Sequence, residues 1–516
     1  MKPDQLSPNA RQLFSSSMGW MDARWDEAAG MLQLDPALSY LGNTESAAPH
    51  YVRETAFYAL GLFIRGDNQR ALLALDRVLL CQVVHRNTEY DGCFLRHPEE
   101  KAPPGKEAVE WRDFNPNWRE YIGSALVLIL REFSGRLPKP LLKRTETALR
   151  RATAGSLWRR IPADYTHIAL LKAFLLAFAG VRYGLEAWLE GGEMQGSEIF
   201  RIFKEHQCFP TYNSPTHYGI DLLGLALWKK HAPSQVMQTM AAEMEEVLWK
   251  DIAQFYHAGM GNLAGPYDRA HGMDMRSYAS PLGLCIWASV GRDHAPFPEL
   301  AESEPSGRLE PSGRLGPPVR LGLHQQQDLA FALPLLITGV AAPESVLPHF
   351  TTFQGERHIE RLISDKDTAS AWIAKELMLG ARKKEPAPAA PPSLTELRAP
   401  TSFLSSYPAT VHWVTGDKIG WICAHSHADL KAHAGEKTLS LSVDKPAEGE
   451  ELVMKFLISS PSPPIFDLDK WSFPSLTVRV SSNLTFSAPA VRGELFEIEC
   501  RLPNPQQEAF VTLNFL

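Results

Sequence analysis

The sequence predicts an α+β multidomain protein: an N-terminal helical domain built in concentric layers, an (α/α) toroid or barrel, followed by a C-terminal antiparallel β-sheet or sandwich domain. Three observations carry this. From Ala10 to about Val290 the apolar residues recur at helical spacing. After residue 350 the period changes to two, as in half-buried strands. Between them lies a Pro/Gly-rich stretch whose composition cannot build a core.

The helical half is legible segment by segment. Thr55–Ile64, Ala71–Val84 and Trp118–Phe133 place leucines and aromatics at i, i+3, i+4 and i+7. Asp67 is placed to cap the second segment. Pro116 reads as just inside the third, where its missing N–H costs nothing. Gly135 and Gly180 read as C-terminal glycines. Ile168–Phe178 is apolar almost all round, which marks a fully buried helix. Roughly ten helices precede residue 295, and their two degrees of burial imply an inner and an outer layer. No fixed-period repeat supports an α-solenoid instead.

The domains expected are 1–295 helical, 296–325 a low-complexity insertion, 326–399 a connecting region of mixed helix and strand, and 400–516 antiparallel β. Within the insertion the hexapeptide EPSGRL occurs at Glu304–Leu309 and again at Glu310–Leu315. Lys383–Pro392 (KKEPAPAAPP) reads as an extended linker. Leu476–Val480, Phe496–Cys500 and Val511–Phe515 alternate cleanly. Thr410–Val414, Ile419–Ala424, Leu439–Val443 and Leu452–Ser459 are further strands.

A chain of 516 residues exceeds one compact core, and 44% hydrophobic against 22% charged residues is an ordinary globular balance. A net charge of −7 excludes a general attraction to nucleic acid or anionic membranes, so an anionic ligand would need local Arg and Lys groups. The six cysteines (Cys81, Cys93, Cys208, Cys285, Cys423, Cys500) are scattered, without a CxxC, and fit reduced thiols. The N-terminal segment has no apolar signal core, and the most apolar stretch, Ile168–Val181, falls short of the ~20 residues a membrane span needs. A cytoplasmic protein is expected, with no membrane or nucleic-acid partner; its oligomeric state is left open. P-loop, GxSxG, HExxH and dinucleotide signatures are missing, and no cofactor is expected.

Three stretches carry candidate chemistry. In Cys208–Asp221 (CFPTYNSPTHYGID), Ser214-Pro215 reads as a helix cap followed by Pro at the first helical position. Tyr212 and Asn213 then lie on the entering loop, His217 and Asp221 share a helical face, and Tyr218 sits beside them. An amide, an imidazole and phenols at a helix N-terminus suit an anionic group; helix capping with a packed Tyr and His is the plainer reading. Gly259–Tyr278 (GMGNLAGPYDRAHGMDMRSY) is an irregular loop bearing Asn262, Tyr267, Asp268, Arg269, His271, Asp274 and Arg276. A nearby Arg favours a phenolate, although an Asp–Arg pair could equally just order the loop. Trp111–Trp118 (WRDFNPNW) offers Trp111, Asp113, Asn117 and Trp118 for stacking on and hydrogen bonding to a sugar, or for packing at a helix start. A fourth pattern, His425-Ser426-His427-Ala428-Asp429, is similar to the HxHxD opening of metallo-β-lactamase-type hydrolases. Leu430 stands where the next His is expected, and no His follows His433, so no metal is assigned.

Together these features resemble the toroid-type polysaccharide lyases, the group containing chondroitin AC, hyaluronate, alginate and heparinase II/III lyases. YNSPTHYG and PYDRAHGMDM look like two stretches of related toroid proteins. The resemblance implies an (α/α) toroid joined to antiparallel β-sheets and a β-elimination using Asn, His, Tyr and Arg. It implies Asn213 as carboxyl neutraliser, His217 as base, Tyr267 as acid with Tyr218 as its rival, and Arg269 supporting the anion. Tyr212, Asp221, His271, Asn117, Trp118, Trp111, Asp113 and Asp268 would line the binding site for an oligosaccharide or small molecule. Linalool dehydratase-isomerase offers a second resemblance on the same barrel, with Cys93, Cys208, Asp221, His217 and Tyr212 acting on a small alcohol. A glycoside hydrolase would instead draw two carboxylates from Asp113, Asp221 and Asp268. A non-catalytic carbohydrate-binding protein would leave the Asn/His/Tyr cluster without a chemical role.

Overall fold

The computed structural model describes residues 1–33, 49–100, 103, 105–270, 272–298, 326–384, 406–426, 428–444, 452–492, 495–503 and 507–516. The EPSGRL repeats and residues 385–392 lie outside them. Ten helices precede residue 295 among the described residues: α1 (Pro8–Asp22), α2 (Val52–Arg65), α3 (Asn68–Leu80), α4 (Trp118–Glu132), α5 (Lys139–Trp158), α6 (Thr166–Tyr183), α7 (Glu186–His206), α8 (Pro215–His231), α9 (Gln235–Phe255) and α10 (Pro281–Val290).

The layers separate by burial. α2 is buried from Val52 to Ile64, α4 from Trp118 to Leu130 and α6 from Thr166 to Gly180, whereas α3, α5 and α7 bury a single stripe. The inner helices pack in succession, α2 on α4, α4 on α6, α6 on α8 and α8 on α10, and α1 closes the ring between α10 and α2. Each outer helix returns the chain, so the inner helices run parallel and their N-terminal turns gather at one end. That end is the toroid mouth.

Asp67 caps α3 as expected, its side chain accepting from the Arg70 N–H. Two other expectations are corrected. Pro116 lies before α4, whose N-cap residue is Asn117. Gly180 does not end α6; the helix runs on to Gly184, at φ 64°. A Cβ at Gly180 would lie 2.4 Å from the Leu189 backbone nitrogen, so this glycine serves the close approach of α6 and α7. α6 is also long and apolar enough to cross a membrane by composition, but 83% of that stretch is buried within the structure.

Short strands β1 (Trp25–Asp26), β2 (Met31–Gln33) and β3 (His50–Tyr51) pair antiparallel beside the start of α2, and β4 (Tyr256–His257) pairs with β5 (Asn262–Leu263). His50 ties the first group down, its Nε2 3.2 Å from Asp26 and its Nδ1 2.5 Å from Glu99. The Glu99 hydrogen bond, outweighing burial and joined by Asp26, raises its pKa above the ordinary 6.5. A raised imidazole stabilises the fold fully below the unfolded value and ceases to do so as pH rises through the folded one. The stability difference between wild type and His50→Gln should therefore be largest below pH 6.5 and shrink in alkali, as read by melting temperatures across a pH series. A pH-independent difference would show that the pair adds nothing.

The region between 326 and 399 divides. A 3₁₀ turn at Gln326–Phe331, α11 (Ala332–Thr338) and α12 (Leu347–Thr351) belong to the helical domain, α11 lying against α1, α2, α8 and α10. Strands begin at Arg357, within the region expected to mix helix and strand: β6 (Arg357–Leu362), β7 (Asp367–Ile373) and β8 (Leu377–Lys384) join the same sheet as β9 (Ala409–Thr415) and β10 (Lys418–Ser426). The remaining strands are β11 (Leu430–Gly435), β12 (Thr438–Val443), β13 (Val453–Ser459), β14 (Ile465–Phe466), β15 (Lys470–Phe473), β16 (Leu476–Ser482), β17 (Thr485–Phe486), β18 (Ala490–Arg492), β19 (Leu495–Arg501) and β20 (Ala509–Phe515). One sheet runs β17-β19-β13-β10-β9-β8-β7-β6 with β18 on β19; the other runs β11-β12-β20-β16-β15-β14, and all pairings are antiparallel.

Alternate residues of the larger sheet face different cores. Ala409, Val411 and Trp413 pack on the smaller sheet, while Ala369, Ala371, Ile373, Trp421 and Cys423 join the core of the toroid. The larger sheet is thus buried on both faces, and its apolar strands lose the clean alternation of half-exposed ones.

Candidate functional site

The first two candidate stretches meet. Asn213, in the left-handed region at φ 53°, donates through Nδ2 to the Pro266 carbonyl at 3.0 Å. The Asp268 N–H donates to the Tyr212 carbonyl at 3.1 Å, and the Arg269 N–H to Ser214 Oγ at 2.9 Å. Ser214 stands at the N-cap position with Pro215 following, but its hydroxyl makes no capping bond; it fastens the neighbouring loop instead. Tyr267 is fully buried, donates its hydroxyl to the Leu263 carbonyl at 2.5 Å, and exchanges backbone hydrogen bonds with Tyr407. The structure places Asn213, Ser214 and Tyr267 as the clips that shape the two loops.

The larger sheet holds the second loop from behind. Thr410 Oγ1 donates to the Ala264 carbonyl at 2.7 Å, and Arg382 binds Asp268 at 3.1 Å while pairing with Asp367. At Gly380 a Cβ would lie 2.2 Å from the Ala264 oxygen, so only glycine lets strand and loop approach so closely.

The third stretch joins through the helix ends at the mouth. Arg159 donates to Glu110 at 3.0 Å and to Asn117 Oδ1 at 2.8 Å, and Asn117 Nδ2 donates to the Tyr165 hydroxyl at 3.0 Å. The Tyr165 ring lies 4.6 Å from His167, and His167 lies 4.3 Å from His217. On the other side, Tyr278 donates to Asp328 at 3.0 Å, Asp328 accepts from Arg53 at 3.2 Å, and Arg53 lies over Trp118, 4.9 Å from its ring centre. At Gly272 a Cβ would come within 2.8 Å of both Thr216 and Tyr278, so the loop is seated between these arcs. The first turns of α2, α4, α6 and α8, the residues leading into α10 and the 3₁₀ turn before α11 thus form one polar and aromatic belt. The partial positive charge of each inner helix N-terminus adds to it.

Charge states follow from this packing. Burial, helped by Arg269 and Arg159, holds the His167 imidazole down to about 3, so it is neutral at physiological pH. Burial raises the Tyr165 phenol, while Asn117, Arg159 and Arg269 pull the other way. Burial raises Asp328 despite Arg53.

Other candidates lie off the belt. Tyr212 and Tyr218 are buried behind it, beside Asp251 and Arg361, with the Arg361 guanidinium 5.8 Å from the Tyr212 ring centre. Burial pushes Asp251 up to about 6 against the pull of Arg361 and both hydroxyls. Asp221 is fully buried one turn below His217, and burial raises its carboxyl well above the usual range. Trp111 donates its N–H to the Phe114 carbonyl at 2.8 Å and Asp113 accepts from the Val109 N–H at 2.8 Å, so both serve their own loop. His271 lies outside the described residues. Cys93 and Cys208 are buried, their thiols pushed up to about 11 and 12.

In the HxHxD segment His425 lies 5.9 Å from the Tyr407 ring, Asp429 bonds Lys384 at 2.9 Å, and His427 is outside the described residues. Among the described residues no cluster of His, Cys, Asp or Glu is arranged to hold a metal ion. The residues that sequence reasoning missed are Arg53, Arg159, Tyr165, His167, Tyr278 and Asp328. Only Tyr165 and His167 had a signal, since both stand at the entry to the most apolar helix.

Fold and mouth together define a helical toroid, backed by a two-sheet β domain, whose polar groups gather at the N-terminal ends of its inner helices. The chain belongs to the family of the Domain of unknown function (DUF8769), whose model matches residues 11–307, and a Domain of unknown function (DUF8770) matches residues 362–492. No curated protein matches it. Among solved structures it is similar to heparinase III, at 9% identity and a TM-score of 0.47, over 99% of this chain and 85% of that one. It is similar to the Streptomyces coelicolor A3 chondroitin AC lyase in complex with chondroitin sulphate, at 10% identity and a TM-score of 0.33, over 99% and 97% of the chains. A third is the endoglucanase CelQ from Clostridium thermocellum complexed with cellotetraose, at 9% identity and a TM-score of 0.29, over 98% and 92%.

Proposed function

We propose that this protein is a carbon–oxygen lyase that cleaves a uronate-containing saccharide by β-elimination at the toroid mouth. The observation that carries the reading is the belt itself, where Asn117, Tyr165, His167, His217, Arg159 and Arg269 come together at converging helix N-termini. Such a setting favours an anionic ligand. The uronate carboxylate would be met by Arg269 and the Asn117–Arg159 pair, which stabilise the charge that develops when the C5 proton leaves. His217 takes that proton. The electron pair forms the C4–C5 double bond, the C4–O bond breaks, and Tyr165 protonates the departing oxygen. Asn213 and Tyr267, which the resemblance cast as carboxyl neutraliser and acid, have in this scheme the role of fixing the loops, and Trp118 forms an aromatic wall beside Arg53.

The test is incubation with uronate oligosaccharides, followed by the ultraviolet absorbance of the unsaturated product. New chromophore that grows with enzyme concentration is the expected result. Dehydration or isomerisation of a small alcohol, with no chromophore from any uronate, would give the mouth to the dehydratase-isomerase reading.

A further inference from the structure

Both proton carriers of the mouth rest on one side chain. The His167 ring meets Tyr165 edge-on at 4.6 Å between ring centres and meets His217 at 4.3 Å, tilted by 54°. His167 is only 3% exposed, so its ring is part of the packed wall and not of the open mouth.

The helices beneath hold that ring still. α6 and α8 approach so closely at Gly224 that a Cβ there would lie 2.8 Å from the Leu170 Cβ, and Trp228 Nε1 donates to the Leu170 carbonyl at 2.8 Å. Nearer the mouth, Thr166 Oγ1 donates to Thr211 Oγ1 at 3.3 Å, which fastens the first turn of α6 to the loop entering α8. A ring seated between fixed neighbours at interior density has little freedom to turn or shift.

The charge of the ring matters as much as its shape. Burial, with Arg269 and Arg159 adding to it, keeps His167 neutral. The other titratable groups nearby are Tyr165 on α6 and, on α8, His217 with Asp221 one turn below, and burial raises both the Tyr165 phenol and the Asp221 carboxyl. A second cation against His217 would oppose its protonation, whereas a neutral ring allows it.

We propose that His167 is a positioning residue for the elimination, its ring setting the orientation of His217 as base and Tyr165 as acid without itself carrying a proton. This role rests on the elimination reading of the mouth.

Two substitutions test it by steady-state kinetics on a uronate oligosaccharide, with melting temperatures as the control for folding. His167→Ala removes the ring and should lower kcat by about 10²-fold, the cost of a misplacement of roughly 1 Å, with KM little changed. His167→Phe restores a ring that cannot carry a proton. It should keep most of the turnover and leave the limbs of the pH profile where they are. Equal loss in both variants would make the imidazole nitrogen essential and overturn the positioning role. Unchanged kcat in His167→Ala, or a rise confined to KM, would overturn it as well. Nuclear magnetic resonance titration of the imidazoles reads the same pair without turnover: His167 should stay uncharged well below the ordinary value of 6.5. Ordinary titration of His167 in a protein that forms the chromophore would overturn this role alone. No chromophore from the wild type would overturn the elimination reading, and this role with it.

Discussion

Tyr165→Phe should lower turnover of a uronate oligosaccharide by about 10²–10⁴-fold, the range typical of losing a general acid or base. The substitution keeps the ring that packs on His167 and removes the hydroxyl that accepts from Asn117. Folding should be little affected, because Asn117 Oδ1 is still held by Arg159. Two companions separate chemistry from scaffolding. Asn117→Ala should slow the reaction while leaving the limbs of the pH profile in place, since it removes stabilisation of the intermediate and no proton carrier. Tyr267→Phe should cost about 1 kcal/mol of stability, the worth of one hydrogen bond, with turnover largely kept. If Tyr267→Phe abolishes turnover and Tyr165→Phe does not, the acid is Tyr267 and the proposed assignment is wrong.

Asp251→Ala should destabilise the protein by about 3 kcal/mol in urea unfolding, because removing one member of a buried ion pair strands the other. Asp251 is 4% exposed and pairs with Arg361, which also donates to the His206 carbonyl at 2.7 Å. The value sits at the low end for such a pair because the Arg361 side chain keeps 20% of its exposure. Asp251→Asn should recover part of the loss by still accepting from the guanidinium. A change below about 1 kcal/mol, ordinary for any substitution, would show that the pair carries little.

The layered helices were legible because α6 is apolar all round while α3 and α7 are apolar on one stripe, a difference that composition shows directly. The strands with one polar face, such as β16 and β20, announced themselves by alternation. β7 and β8 did not. Buried on both faces, DTASAWI and LMLGARKK have no period to detect. At the site, the two glycine-rich loops and the Trp111–Trp118 stretch were visible as clusters of polar residues. Their division of labour was not, because it depends on contacts between residues far apart in sequence. Asn213 is spent on Pro266, whereas the seemingly ordinary Tyr165 bonds Asn117 and adjoins His167. Arg53 and Asp328, 275 residues apart, carry no sequence signal that they would meet.

The doubly covered sheet also governs how the molecule comes apart. Trp421, Cys423 and Ile373 share one continuous apolar core with the toroid helices, so the boundary between helical and β regions in the sequence is not a boundary of cohesion. Stripping the sheet away would bare that apolar face and release the Thr410 and Arg382 anchors of the site loop. Melting of the helices and loss of the mouth should therefore coincide in one cooperative transition, and a ligand held at the mouth would steady strands it never touches.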